Sequence, residues 1–253
     1  MEVKKSTDSI FYKKGLCGLT NLGNTCFMNT ILQCLNSNKK FASYFLSNKF
    51  KEELNEDKID YNLVEQWSLV CKGLYHKNCV VTPTSFFKTV QLLAIKKGLG
   101  LFGGFNQNDS QEFLQFFMET MHNGLSKEVI MTISGEPENE LDKMAIKALN
   151  NWVKFFKNDY SFIIETFYGQ LYSVITSPDD EKYKSETYEP FSNLSLEIPN
   201  LEKKLNIYDC LDNFSKNEIL DEHKNGEDDC KSYHKKLLIW KGPEYLIIFF
   251  KRY

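Results

Sequence analysis

Apolar residues recur at helical spacing through roughly the first 158 residues and at strand-like spacing after them. Phe27, Ile31, Leu32 and Leu35 share one face of a helix expected over residues 26–36. Phe86, Phe87, Val90, Leu93 and Ala94 predict a second over 84–97. Phe113, Phe117 and Met121 are four apart, as are Leu114 and Met118, which predicts a strong helix over 109–123. Asp109 and Glu112 fit a capping box at its start. Met144, Ala145, Ala148, Leu149, Trp152 and Phe156 make 141–156 amphipathic. The stretch 51–60 reads as a charged, solvated loop or helix end, and 98–104, with four glycines, as a flexible break.

The texture then changes. Residues 160–176 are rich in β-formers, with Ile163, Ile164, Phe167, Tyr168, Leu171, Tyr172, Val174 and Ile175. Residues 191–198 alternate like a strand, and 207–214 read as a short helix. Residues 237–240 and 245–250 read as two strands joined at Gly242-Pro243. Helices first and strands later predict an α+β architecture rather than alternating βαβ units. Residues 1–14 are a polar lead-in, 15–158 a helical region and 159–253 a β-rich region of the same domain.

The chain has 253 residues, 42% of them apolar, enough for one or two packed cores. Net charge is −3, and of 31 basic residues only Arg252 is arginine. Arginine is the usual two-pronged reader of phosphate and guanine, so no nucleic-acid partner is expected. Seven cysteines are irregularly spaced, and no charged leader precedes an apolar core. Free thiols in a reducing, intracellular compartment, cytoplasmic or nuclear, are expected, and not secretion. No apolar run reaches the roughly 18 residues that cross a membrane, so no membrane partner is expected.

Cys26 sits at the start of the first expected helix, after a turn containing Gly23 and Asn24. A thiol there faces unpaired backbone N–H groups and the positive end of the helix dipole, both of which favour thiolate, the nucleophilic form. Asn21 has an amide able to donate to an oxyanion. Gly23 lets a substrate approach the backbone closely. The bland alternative is a core cysteine on a helix capped by Asn24. Cys17, Cys34, Cys71, Cys79 and Cys210 are read as core residues of that kind.

The segment GLTNLGNTCFMNTILQCL resembles the cysteine box of the ubiquitin-specific proteases, Gly-Leu-x-Asn-x-Gly-Asn-Thr-Cys-Phe/Tyr-Met-Asn-Ser/Thr. NQNDSQEFL, at 106–114, is similar to that family's Gln-Gln-Asp-Ser-Gln-Glu-Phe-Leu segment. Phe167-Tyr168-Gly169-Gln170-Leu171 resembles its Phe-x-Gly-x-Leu strand, and 189–199 its Glu-Pro-Phe-x-x-Leu-Ser-Leu-x-Ile-Pro segment. LIIFFKRY, at 246–253, resembles the strand ending Leu-Lys-Arg-Phe. The resemblance implies a papain-like cysteine peptidase with a helical thumb, β-rich fingers and, here, an incomplete palm. It implies a deubiquitinase, a thiol-dependent hydrolase cutting after the carboxyl-terminal glycine of ubiquitin through an acyl-enzyme. Carried over by position, Cys26 is the nucleophile and Asn21 the oxyanion donor. Asp109 and Glu112 would meet the basic tail of ubiquitin, beside their capping role. Ubiquitin or ubiquitinated proteins are the expected partners.

Two departures qualify this. The family's finger zinc takes two Cys-x-x-Cys pairs; here 177–180 holds no cysteine and 230–233 holds only Cys230. One thiol cannot make a four-ligand site, so no metal and no cofactor are expected. The family's base, a histidine in a Gly-His-Tyr strand beyond the Lys-Arg-Phe strand, has no counterpart among His76, His122, His223 and His234. The alternatives are therefore a catalytically inactive ubiquitin-binding module, and a peptidase for a ubiquitin-like modifier.

Overall fold

The computed structural model describes residues 14–177, 184–200, 202, 204–220 and 233–252. Chain contacts divide it into two compact units between Lys127 and Glu128.

The first unit is mainly helical. A parallel pair of two-residue strands, β1 (Gly18–Leu19) and β2 (Val80–Val81), is joined by Gly18↔Val80 and Leu19↔Val81. Its helices are α1 (Cys26–Ser37), α2 (Lys39–Leu46), α3 (Tyr61–His76), α4 (Thr84–Lys96) and α5 (Ser110–Leu125). Turns of 3₁₀ helix occupy Lys49–Glu52 and Gly100–Gly103. α3 carries Leu63, Val64, Trp67, Val70, Cys71 and Leu74 at helical spacing, all buried. The Trp67 ring lies 5.8 Å from Phe41 of α2, 6.3 Å from Phe86 of α4 and 5.6 Å from Phe117 of α5. Three helices thus converge on one indole. α5 crosses α3 closely at Gly124, where an added Cβ would lie 2.6 Å from Val64. Beside this crossing Lys97 Nζ lies 2.6 Å from the largely buried Asp60 carboxylate.

The second unit combines helices and sheets. α6 (Glu140–Phe156) and α7 (Phe162–Phe167) precede β3 (Gly169–Thr176), β4 (Lys184–Phe191) and β5 (Asn193–Glu197). α8 (Ile207–Phe214), β6 (Glu218–Leu220), β7 (Tyr233–Lys241) and β8 (Ile247–Lys251) follow. β3, β4, β6 and β7 form an antiparallel sheet of order β4-β3-β7-β6, whereas β5 and β8 pair in parallel. α6 packs Met144 and Ala148 against Tyr172, Val174, Tyr188, Leu238 and Trp240 of the larger sheet. α8 packs Cys210, Leu211 and Phe214 against Phe191, Leu194, Leu196 and Ile248.

The strands flanking Gly242-Pro243 belong to different sheets. The expected β-run over 160–176 begins instead with α7. The Ser161 hydroxyl accepts from the N–H groups of Ile163 and Ile164 at 3.2 and 3.4 Å, capping a helix that buries Phe162, Ile163, Ile164 and Phe167. Capping and burial override the strand preference of the β-branched pair. Cys17, Cys71 and Cys210 are buried as expected, but Cys34 and Cys79 are exposed. Cys34 precedes the buried Leu35 on α1 and points off its apolar face; Cys79 lies in the segment entering β2.

Candidate active site

The residues around Cys26 are held from below by α1 itself. Two of its polar side chains, Asn29 and Gln33, lie one turn apart and face the incoming chain. Asn29 donates to the Thr20 carbonyl at 3.2 Å and Gln33 to the Cys17 carbonyl at 2.8 Å. Thr20 N–H continues the β1–β2 pairing onto the Val81 carbonyl at 3.0 Å. The strand is fixed before the loop begins.

The loop 21–25 is organised by one acceptor. Asn21 Oδ1 accepts from the N–H groups of Gly23 and Thr25, at 3.0 and 3.1 Å, and from the Thr25 hydroxyl at 3.2 Å. Thr25 is buried, and its Oγ1 also accepts from Leu22 N–H at 3.0 Å. These donors fix which end of the Asn21 amide is oxygen. Its Nδ2 has no partner among the described residues and sits on an exposed residue.

Cys26 is exposed and is the first residue of α1. No side chain caps that helix, and no acidic residue occupies its first turn. Asn24 is not a cap: it adopts φ 55° and donates across to the Phe105 carbonyl at 2.9 Å. An exposed thiol, an uncapped helix start and an outward amide therefore occur within six residues. An uncapped start presents N–H donors and positive potential to any anion formed there.

Asp109 and Glu112 lie at the start of α5. Asp109 caps the helix, accepting from Gln111 and Glu112 N–H at 2.6 and 3.2 Å. The expected capping box is only half formed, because Glu112 makes no return bond and its side chain is exposed. α1 and α5 meet through Phe27, whose ring lies 5.5 Å from Phe113 and 6.0 Å from Phe102.

The Cys26 thiol has no hydrogen-bond partner among the described residues. His76 ends α3, His122 is half-buried on α5 and His234 lies on β7 in the second unit. His223, Cys230 and most of the stretches weighed for zinc, 178–180 and 230–232, lie outside the described residues. Among the described residues no group of three histidine, cysteine or acidic side chains is placed to hold a metal. Also among them, no helix is long and apolar enough to cross a membrane. Thr25, Asn29, Gln33 and Phe105 were not singled out from sequence. The one signal available was the pair of amides at 29 and 33, four apart and off the apolar face of α1.

Residues 17–253 match the family model described as ubiquitin carboxyl-terminal hydrolase. The chain belongs to that family. It is 34% identical over 250 residues to ubiquitin carboxyl-terminal hydrolase 2 of Homo sapiens, covering 95% of this chain and 40% of that one. It is 33% identical over 202 residues to human ubiquitin carboxyl-terminal hydrolase 15, covering 77% of this chain and 20% of the relative. The chain thus spans less than half the length of these relatives. Among solved structures, the SAGA DUB module bound to ubiquitin aldehyde matches with a TM-score of 0.63 and 27% identity, over 95% of this chain and 48% of that one. A yeast SAGA DUB module matches with a TM-score of 0.65 and 28% identity, over 95% and 48%. The mixed α+β fold is that of this family.

Proposed function

We propose that this chain carries the acylating centre of a deubiquitinase, with Cys26 attacking the carbonyl after the carboxyl-terminal glycine of ubiquitin. The observation that carries the reading is the fixed orientation of Asn21. Three donors engage its oxygen, which leaves its N–H₂ group unpaired among the described residues, on an exposed residue five positions before the exposed thiol at the uncapped helix start. Thiolate addition to the carbonyl produces an oxyanion, for which the Asn21 amide and α1 N–H groups are donors. Collapse expels the lysine amine, and water then releases the acyl group. Asp109 is engaged in capping, so Glu112 is the better placed carboxylate for the basic tail of ubiquitin. The test is labelling of the purified chain by ubiquitin bearing a carboxyl-terminal electrophile. We expect one adduct at Cys26, absent in Cys26→Ala; an unlabelled wild-type chain would sink the reading.

A second reading, a ubiquitin-binding module without turnover, is favoured by one observation: no described side chain hydrogen-bonds the Cys26 thiol. Expulsion of an amine needs an acid, and a positioned acid or base typically contributes 10²–10⁴-fold. The chain by itself should therefore cleave lysine-linked diubiquitin at least about 100-fold more slowly than a deubiquitinase with a histidine base. Rapid cleavage that depends on Cys26 would dismiss this second reading and direct a search for the base among His76, His122, His223 and His234.

A further inference from the structure

We infer that Asn24 and Phe105 form a latch that holds the Cys26 loop in its thiol-presenting shape, Asn24 being a positioning residue for the reaction; the inference rests on reading Cys26 as the nucleophile. The latch joins residues 81 apart in sequence through one 2.9 Å hydrogen bond, from the Asn24 amide to the Phe105 carbonyl. Both loop residues beneath it hold left-handed backbone, Gly23 at φ 103° and Asn24 at φ 55°. Glycine adopts that region freely, and asparagine tolerates it better than most side chains. Such a conformation persists when its surroundings over-determine it. Here the surroundings are Phe105 above and Asn21 below.

Phe105 adds a second contact. Its ring edge lies 3.5 Å from where a Cβ on Gly23 would stand. The residue is 62% exposed, yet its ring is anchored on Phe87, 5.7 Å away between centroids. Phe87 belongs to α4, so the latch ties the Cys26 loop to the helical core. Phe105 also lies four residues before Asp109, the cap of the helix that carries Glu112. One hydrogen bond therefore sets the loop bearing Asn21 and Cys26 against the entry of α5.

A purely turn-forming Asn24 would need only its φ. The donated hydrogen bond is the separate feature, and Asn24→Gly isolates it: glycine keeps the left-handed backbone and loses the donor. Without the latch, residues 22–25 can relax away from Phe105. The three bonds onto Asn21 Oδ1 then loosen, and the amide and the helix-start N–H groups no longer converge beside Cys26.

The test measures alkylation of each cysteine by iodoacetamide, resolved by mass spectrometry, in the wild-type chain and in Asn24→Gly. Exposed Cys34 and Cys79 are internal references. The expected result is a three- to tenfold slower rate at Cys26, unchanged rates at Cys34 and Cys79, and a thermal midpoint that stays in place. A similar slowing is expected with the electrophilic ubiquitin probe. Asn24→Asp, which turns the donor into an acceptor facing a carbonyl, should slow Cys26 at least as much. An unchanged Cys26 rate in Asn24→Gly overturns the latch, whether or not the midpoint falls. The alkylation arm needs no ubiquitin, so failure of the wild-type chain to react with the ubiquitin probe sinks the hydrolase reading and leaves alkylation to decide the latch.

Discussion

Two helix starts in this chain use similar residues to opposite ends. At α8, Asn206 accepts from Tyr208 and Asp209 N–H at 2.8 and 3.3 Å, and Asp209 accepts from Asn206 N–H at 2.8 Å. That is a closed capping box. At α1 the asparagine stands four residues farther out, at Asn21, and its oxygen serves the loop rather than the helix. Thr25, which occupies the capping position, donates its hydroxyl to Asn21 Oδ1 and accepts from Leu22 N–H instead of from the helix. The first turn of α1 is left without a side-chain acceptor. A closed start stabilises a helix; an open one keeps donors for a visiting group, at some expense in stability. α3 and α4 also start without a side-chain cap; what the proposed function adds at α1 is an exposed cysteine as its first residue.

The largest expected effect tests the open start. Asn21→Asp keeps the acceptor that organises the loop and removes the outward N–H₂. Acylation of Cys26 by a carboxyl-terminal ubiquitin ester, whose alcohol is the leaving group, should slow by roughly 100- to 1000-fold, the roughly 3–4 kcal/mol typical of losing one oxyanion donor. Asn21→Ala should lose at least as much and also stability, since three loop hydrogen bonds go with it. Equal rates for wild type and Asn21→Asp would reassign Asn21 to turn formation alone.

The thiols sharpen the same contrast. Cys71 is closed off on α3, and burial pushes its thiol up to about 12. It should resist iodoacetamide near neutral pH while Cys26 reacts. Comparable labelling at both positions would show that the first unit opens on the time scale of the experiment.

One carboxylate of the second unit is closed in by partners too. Glu186 accepts from Tyr172 Oη at 2.6 Å, Lys184 Nζ at 2.6 Å and Lys147 Nζ at 3.1 Å. The lysine and tyrosine bonds hold its carboxyl down at about 2, against an ordinary 4.5. A carboxylate depressed in the folded state stabilises fully above its unfolded value and loses that contribution as pH falls toward the folded one. Acid should therefore destabilise this sheet between about pH 5 and pH 2. Both lysine side chains are more than half exposed, so water shares the charge and the loss is about 2 kcal/mol rather than the full shift. Glu186→Gln should flatten that acid limb in a denaturant titration followed at Trp240, whose ring lies 6.3 Å from Tyr172. An unaltered limb would place the acid-sensitive group elsewhere.

Legibility in the sequence followed the location of each signal. α1, α4, α5, α6 and α8 were readable within a few residues, because their apolar stripes are regular. α3 was missed although Leu63, Val64, Trp67, Val70, Cys71 and Leu74 repeat at helical spacing. Its start carries no local signal: Asp60 makes no cap and pairs instead with Lys97, a partner 37 positions away. α7 was misread because Ile163 and Ile164 favour strands, while the deciding group was the Ser161 hydroxyl. At the site, Cys26, Asn21, Asp109 and Glu112 were visible as a motif. Neither the direction of the Asn21 amide nor the bond from Asn24 to Phe105 could be read. The first depends on how the loop 21–25 turns back on itself, through bonds two to four residues long; the second joins residues 81 apart, which no local pattern encodes.

The smallest expected effect is the control for the opening contrast. Asn206→Ala removes the acceptor for two first-turn N–H groups of α8 and leaves Asp209 reaching toward an N–H it already accepts from. Losing a cap of this kind typically costs about 1 kcal/mol. α8 buries Cys210, and half-buried Leu211 and Phe214, against Phe191, Leu194 and Leu196, so packing should keep the helix formed and the loss should appear as a lower unfolding midpoint. Cys26 labelling should not change, because the cap belongs to the other unit. A matching substitution at Thr25, to valine, removes a hydroxyl of nearly the same size from the α1 start. If the two helix starts do the same work, both variants lose stability and neither loses Cys26 reactivity. If α1 is an open binding end, Thr25→Val slows Cys26 labelling while Asn206→Ala leaves it alone, and that crossed pattern is the expected result.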